Sequence, residues 1–252
     1  MAAAYKRPAA ITKLSETDST GKRNWLIYGK AGDGKTVLAG TAPKAIFLTV
    51  EAAGTESAKG FGSEADEWVI DTKKELDAAY DFFKRGPGCK EYEWALLDSL
   101  SEIEEVFWRH VQGESNNQKI QDYGTVATMI KKEVERWNRL QVNVLYTAQT
   151  MQLDQETDDG DEYTLTLPSM GTKNGVLSQR ICAKTTLNGL LTVRSRKTED
   201  GKETVRRLYV RGNRSFVAKD RHLLAEESGY IENPDITKMA AQATRITTKK
   251  EK

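Results

Sequence analysis

The sequence predicts an α/β fold: a mainly parallel sheet flanked by helices, with antiparallel strands added at the C-terminal side. Three observations lead there. Apolar runs at residues 25–28, 45–50, 94–98 and 142–146 alternate with segments whose apolar positions recur at helical spacing. The runs are nearly continuous, as strands covered on both faces must be. The first of them leads into Gly29-Lys30-Ala31-Gly32-Asp33-Gly34-Lys35-Thr36, of the form G-x-x-x-x-G-K-[ST], which has mechanical meaning only between a strand and a helix.

Taken in order, Trp25-Leu26-Ile27-Tyr28 reads as the strand before the glycine turn and Val37-Leu38-Ala39 as the helix after it. Pro43 breaks that helix, residues 45–50 form a buried parallel strand, and 68–70 form a shorter one. Thr72 and Glu75 have capping-box spacing, Leu76, Tyr80 and Phe83 share one helical face, and Gly86-Pro87-Gly88 stops the helix. The strand at 94–98 ends in a carboxylate, Asp98. A second capping box is expected from Ser101 to Glu104, ahead of Ile103, Val106, Phe107 and Val111. A longer helix buries Val126, Met129, Ile130, Val134 and Trp137, and the strand at 142–146 follows. Beyond residue 150 the pattern shortens to alternating segments at 163–167, 190–196 and 204–210, separated by Asp159-Gly160 and Asp200-Gly201.

The 252 residues suffice for one large core. The expected division is a flexible arm over 1–20, one domain over 21–232, and a polar, disordered tail over 233–252. A net charge of +1 neither demands nor excludes a nucleic-acid partner. Cys89 and Cys182 are too few for a metal cluster or a disulfide framework, which points to ordinary thiols in a reducing, cytoplasmic setting. His110 and His222 stand apart from each other and from the cysteines. Residues 1–13 lack the apolar stretch of a signal peptide, and no window reaches the length needed to span a bilayer, so no membrane association is expected.

The glycine turn implies a nucleoside triphosphate site. Its glycines let successive backbone N–H groups point inward as a nest for phosphate oxygens at the start of a helix. Lys35 supplies a mobile cation for the β- and γ-phosphates, and the Thr36 hydroxyl is placed to ligate Mg²⁺. Because ligands of such sheets lie at the carboxyl ends of strands, the residues after each strand belong together. Asp98 is expected to orient the Mg²⁺ shell with Thr36, with Ser99 beside it holding that arrangement. Glu51 could polarise an attacking water as general base. Gln149, just beyond 146–148, could sense the γ-phosphate.

This order of phosphate loop, strand ending in Glu51, strand ending in Asp98-Ser99 and strand ending in Gln149 resembles the RecA-like P-loop ATPases. Within them the chain looks most like the short phage proteins of the Sak type, RecA-like single-strand annealing proteins that carry only the ATPase core. The resemblance covers about residues 20 to 230. Lys219-Asp220-Arg221 adds to it, since similar Lys-x-Arg triplets lie after the last strands in that family and in bacterial RadA proteins. There the basic side chains reach a neighbouring subunit's ATP, which would make Lys219 or Arg221 a finger in trans. The resemblance implies ATP and Mg²⁺ as cofactors and self-assembly into a ring or filament with ATP at subunit interfaces. It also implies single-stranded DNA as a partner, an accessory single-strand-binding protein, and a bacterial host's cytoplasm if the chain is phage-encoded. The sequence departs from RecA in having no separate helical domain after the core, which argues against strand exchange by itself.

In that family the segment after the sensor faces DNA, here about residues 150–189. Its acidic stretch, Asp154, Glu156, Asp158, Asp159, Asp161 and Glu162, repels phosphates, whereas Lys173, Arg180 and Lys184, interleaved with Gly171, Asn174 and Gly175, suit a flexible loop contacting a DNA backbone. Tyr163 alone offers stacking. The expected function is thus ATP-dependent binding and annealing of single strands. The alternative is an ATP-driven loader or remodelling switch acting on a protein such as a helicase; a phosphate-loop kinase ranks below both for want of an Arg-rich lid.

Overall fold

In the computed structural model the apolar runs become adjacent strands of one sheet. The structure describes residues 22–113, 119–171, 174–198, 201–225 and 227–249, so the arm expected over 1–20 lies outside it. The first half of the chain runs β1 (Asn24–Tyr28), α1 (Lys35–Ala39), β2 (Ala45–Thr49), α2 (Glu56–Gly60), β3 (Asp66–Val69), α3 (Lys73–Lys84), α4 (Gly88–Glu91), β4 (Trp94–Asp98) and α5 (Leu100–Gln112). The second half runs α6 (Ile120–Trp137), β5 (Asn143–Ala148), β6 (Thr150–Glu156), β7 (Glu162–Pro168), α7 (Val176–Lys184), β8 (Leu187–Thr198), β9 (Gly201–Tyr209), β10 (Lys219–Asp220), β11 (Tyr230–Glu232) and α8 (Ile236–Lys249).

The strands lie in the order β11-β9-β8-β1-β5-β4-β2-β3, with β10 pairing β8, and β6 and β7 form a separate hairpin. Pairing is parallel from β3 through to β8, and β9, β10 and β11 add antiparallel pairs at the C-terminal edge. This is the α/β arrangement that the alternating pattern predicts.

Successive strand residues face opposite sides, and both sides are buried. Leu26, Tyr28, Leu48, Leu97 and Tyr146 enter one core with α3, α5, α6 and α7. Trp25, Ile27, Phe47, Trp94, Leu96 and Leu145 enter the other with α1 and α8. The Thr72–Glu75 capping box forms, with Glu75 N–H donating to Thr72 Oγ1 at 3.2 Å and Thr72 N–H to Glu75 Oε2 at 2.9 Å.

Two expectations need correction. The cap of α5 is Ser99, whose Oγ accepts from Glu102 N–H at 3.3 Å, in place of the box from Ser101 to Glu104. The tail expected from Asn233 is instead ordered through α8, whose Ile236, Met239 and Ala243 are buried. Asp235 caps that helix through Lys238 N–H at 2.9 Å, and Ile236 N–H and Thr237 Oγ1 both donate to Thr41, at 2.7 Å each. The spacing of 236, 239 and 243 was a helical signal, though a sparse one among threonines and lysines. Residues 250–252 lie outside the described residues.

Two measurements test this packing. Met239→Ala should cost about 2–5 kcal/mol in urea unfolding, the range for emptying a buried methionine site; an unchanged midpoint would mean that α8 does not cover the sheet in solution. His222, packed edge-on to Trp25 and 3.0 Å from Thr186 Oγ1, has its pKa lowered by burial, with Asp220 opposing. A group whose folded pKa is depressed binds protons better when unfolded, so stability is present above about pH 6.5 and falls as the pH drops through the folded value. His222→Gln should flatten that slope.

Candidate functional site

The register of the parallel strands brings the expected strand tips to one edge. Tyr28 of β1 pairs with Ala148 of β5, Leu97 of β4 with Tyr146 of β5, and Asp98 of β4 with Thr49 of β2. Residues 29–36, 51, 98–99 and 149 therefore leave the sheet side by side. Of these, Ala31, Gly32, Gly34, Lys35, Thr36, Glu51, Asp98, Ser99 and Gln149 line one cleft of about 370 Å³, together with Thr49, Gly54, Ser57, Phe61, Glu102 and Arg206. That volume is in the range of small-molecule sites.

The loop itself is built as the motif requires. Gly32 and Gly34 take φ of 85° and 91°, values that favour glycine, and Asp33 closes the turn by accepting from Lys30 N–H at 2.8 Å. A Cβ at Gly29 would meet Leu191 O at 2.7 Å, so the loop also lies against β8. Helix α1 has only five residues, which leaves the loop amides, more than a long helix dipole, to form the nest.

Lys35 is buried and bridges the loop to the sensor position. Its ammonium donates to Gly29 O at 3.0 Å and Lys30 O at 2.9 Å, and reaches Gln149 Oε1 at 3.4 Å. Burial lowers its pKa, opposed by the charges of Asp98 and Asp33. Thr36 Oγ1 donates to Asp98 Oδ2 at 2.7 Å, while Thr147 Oγ1 donates to Asp98 Oδ1. Asp98 is nevertheless pushed above the usual carboxylate range: burial outweighs the two hydroxyls and Lys35, and Glu51 adds repulsion. Glu102 is raised likewise by burial, then by Glu51 and Glu105. The Asp98–Ser99 peptide is cis.

A triphosphate with Mg²⁺ fits these residues. The cleft offers a glycine nest without side chains, a cation at its floor, and a hydroxyl and a carboxylate already joined. Burial first, and then neighbouring carboxylates, hold Asp98 and Glu102 above the usual carboxylate range, so a cation at this edge would stabilise their ionised forms. Among the described residues no three His, Cys, Asp or Glu side chains form a metal cage, so Mg²⁺ would rely on Thr36, Asp98, phosphate oxygens and water.

Other expected residues lie elsewhere. Lys219 Nζ donates to Cys182 O at 2.6 Å and Ala183 O at 3.3 Å, capping α7. Its strand pairs with residues 187–188 of β8, which are level with the start of β1, so Lys219 and exposed Arg221 sit at the sheet edge opposite this chain's own loop. Lys173 lies outside the described residues. Arg180 and Lys184 belong to helix α7, not to a flexible loop, and Lys184 is paired with Glu135 at 2.8 Å. The acidic stretch forms part of the β6–β7 hairpin and its turn.

Sequence reasoning missed Thr147, Glu102 and Arg206. Thr147 stands two residues before Gln149 and Glu102 four after Asp98, close enough to have been included; Arg206 reaches the loop from β9, with no local signal.

This loop, with its lysine, threonine and strand-end aspartate at the tips of a mainly parallel sheet, defines a P-loop NTPase. A family model described as an AAA domain matches residues 22–222, and the chain belongs to that family. No curated protein matches the chain. Among solved structures it is similar to a KaiC-like protein from the hyperthermophilic archaeon Pyrococcus horikoshii OT3, at 14% identity over 76% of this chain and 79% of that one, with a TM-score of 0.36. No described helix is long and apolar enough to cross a membrane.

The raised pKa of Asp98 carries a prediction with two signs. A carboxylate held higher in the folded than in the unfolded state binds its proton more tightly when folded, so its ionised form costs stability near neutral pH. Asp98→Asn should therefore raise the melting temperature of the nucleotide-free protein while weakening Mg-ATP binding roughly ten- to hundredfold. A variant that melts lower and binds normally would remove Asp98 from the site.

Proposed function

We propose that this AAA-family domain binds and hydrolyses ATP with Mg²⁺, and that it works as a switch acting on a protein partner. The observation that supports this reading best is a continuous set of hydrogen bonds from the cleft to the base of the β6–β7 hairpin. Gln149, within reach of Lys35, immediately precedes β6. Its N–H donates to Ser101 Oγ at 3.1 Å, and Ser101 Oγ donates to Ser169 O at 2.9 Å at the hairpin's other end. Glu104 accepts from Gly171 N–H at 2.8 Å. Helix α5, which starts beside Asp98, thus holds both ends of the hairpin.

When bound, Mg-ATP supplies a transferable phosphoryl group and the charge that its oxygens and metal bring together. The loop N–H groups would hold the phosphates, and Lys35, now on the carbonyls of Gly29 and Lys30, would turn to phosphate oxygens. Thr36 and Asp98 would hold the cation, and Glu51, in the same cleft, would take a proton from the attacking water. Gln149, within reach of Lys35 and just ahead of β6, would report to the hairpin whether the γ-phosphate is present.

A protein partner is favoured over nucleic acid by the hairpin's charge: Asp154, Glu156, Asp158, Asp159, Asp161 and Glu162 cluster there. The second reading is ATP-dependent binding and annealing of single-stranded DNA in a Sak-like manner. It draws on the element order and on exposed Arg180, while the ion pair of Lys184 weakens it. Filter binding of labelled single strands separates the two. Retention only with ATP favours annealing, and no retention beside measurable Mg-ATP affinity favours the protein switch. Lack of any Mg-ATP affinity in calorimetry sinks both.

Self-assembly with a finger in trans falls to Arg221, since Lys219 is occupied at the end of α7. Blending Arg221→Ala with Lys35→Ala protein should restore part of the ATPase activity that each lacks alone. Absence of recovery at every ratio would exclude a shared site.

A further inference from the structure

We infer that Arg206 is a second cation for the phosphate chain, supplied by β9 of the same chain. Arg206 and Arg207 are neighbours on a strand and so face opposite sides. Arg207 is spent on structure: it pairs with Glu232 at 3.0 Å and stacks over Tyr230 at 4.5 Å. Arg196 on β8 is likewise held by Glu203 and Glu232. Arg206 alone of these three turns to the cleft, where it lines the wall with Lys35, Thr36 and Asp98.

Its side chain lies directly on the loop. A Cβ at Gly34 would come within 2.6 Å of Arg206 Nε, so the same glycine that frees the loop's backbone also admits the guanidinium. Nε is buried and has no hydrogen-bond partner among the described residues. A buried donor without an acceptor is costly, and it is retained most readily where a ligand satisfies it. The guanidinium stacks over Phe61 at 5.8 Å, a ring that is 71% exposed and lines the same cleft.

The backbone that carries Arg206 is clamped. Its N–H donates to Asn233 Oδ1 at 3.0 Å, and its carbonyl accepts from Asn233 N–H at 2.7 Å. Asn233 stands at φ 44°, just ahead of α8, which is tied to Thr41 behind the phosphate loop. The C-terminal segment therefore holds an arginine fork over the loop on a rigid mount. A planar, always-charged guanidinium matches phosphate oxygens, and one fixed in place loses little freedom on contact.

The inference rests on the reading of the cleft as a triphosphate site, and its test keeps the two apart. Wild type, Arg206→Ala and Arg206→Lys would be titrated calorimetrically with a nonhydrolysable Mg-ATP analogue, then with Mg-tripolyphosphate in competition. Arg206→Ala should lose about ten- to hundredfold in affinity for both, as expected for removing a charge-assisted hydrogen bond, and Arg206→Lys should recover part of it. Wild-type affinity in Arg206→Ala overturns the inference, as does a loss confined to the analogue, which would mean contact with the base or ribose. Failure of the wild type to bind the analogue overturns the reading of the cleft itself. Should circular dichroism show Arg206→Ala unfolded, Arg206→Gln, which keeps the stem over Phe61 and removes the charge, takes its place under the same criteria.

Discussion

The level ends of four parallel strands govern the rest of the molecule. β1, β5, β4 and β2 are neighbours in that order, and their register is pinned from both sides because each alternate residue enters a different core. A slip of one residue would exchange the two faces of a strand, driving Tyr146 or Trp94 into space shaped for its neighbour. Both faces being apolar, a slip costs packing more than solvation. The chemistry at the tips inherits that rigidity: Thr36, Asp98 and Thr147 form one hydrogen-bonded group because three strands end together.

Electrostatics explains why such an edge is poised for a ligand. Asp98, Glu51 and Glu102 share a cleft, and burial, with their mutual repulsion adding to it, raises Asp98 and Glu102 above the usual carboxylate range. Lys35 answers part of that charge, yet its hydrogen bonds go to the loop's own carbonyls and to Gln149. Lys35 is thus satisfied by the protein itself, while burial keeps Asp98 and Glu102 raised. A metal-bound polyphosphate meets both conditions at once, drawing Lys35 from the carbonyls and bringing a divalent cation to the acids.

The C-terminal third of the chain closes the site from behind. β8 lies against Gly29, β9 brings Arg206 to Gly34, and α8 bonds to Thr41 just past α1. Helix α5 links the same edge to the β6–β7 hairpin through Ser101 and Glu104. The loop therefore has two packed connections outward, one toward the hairpin and one toward the C-terminal helix.

Local pattern was enough for the parallel strands β1 to β5 and for β8 and β9, though not for the short edge strands β10 and β11, and it was enough for the phosphate loop and for the gathering of Glu51, Asp98 and Gln149 at one edge. Those features follow from short-range rules: continuous apolar runs, a glycine spacing, and the tendency of strand ends to face a ligand. The cap of α5 went to Ser99 because the helix begins as soon as β4 ends, which sequence spacing could not distinguish from Ser101. Helix α8 was hidden by polar composition, since three buried residues suffice once a sheet face is there to receive them. Arg206 and the fate of Lys184 and Lys219 were decided by tertiary structure alone. Whether a surface cation meets a carboxylate, a helix end or an open cleft depends on which distant elements fold against it, and no neighbour in the chain records that.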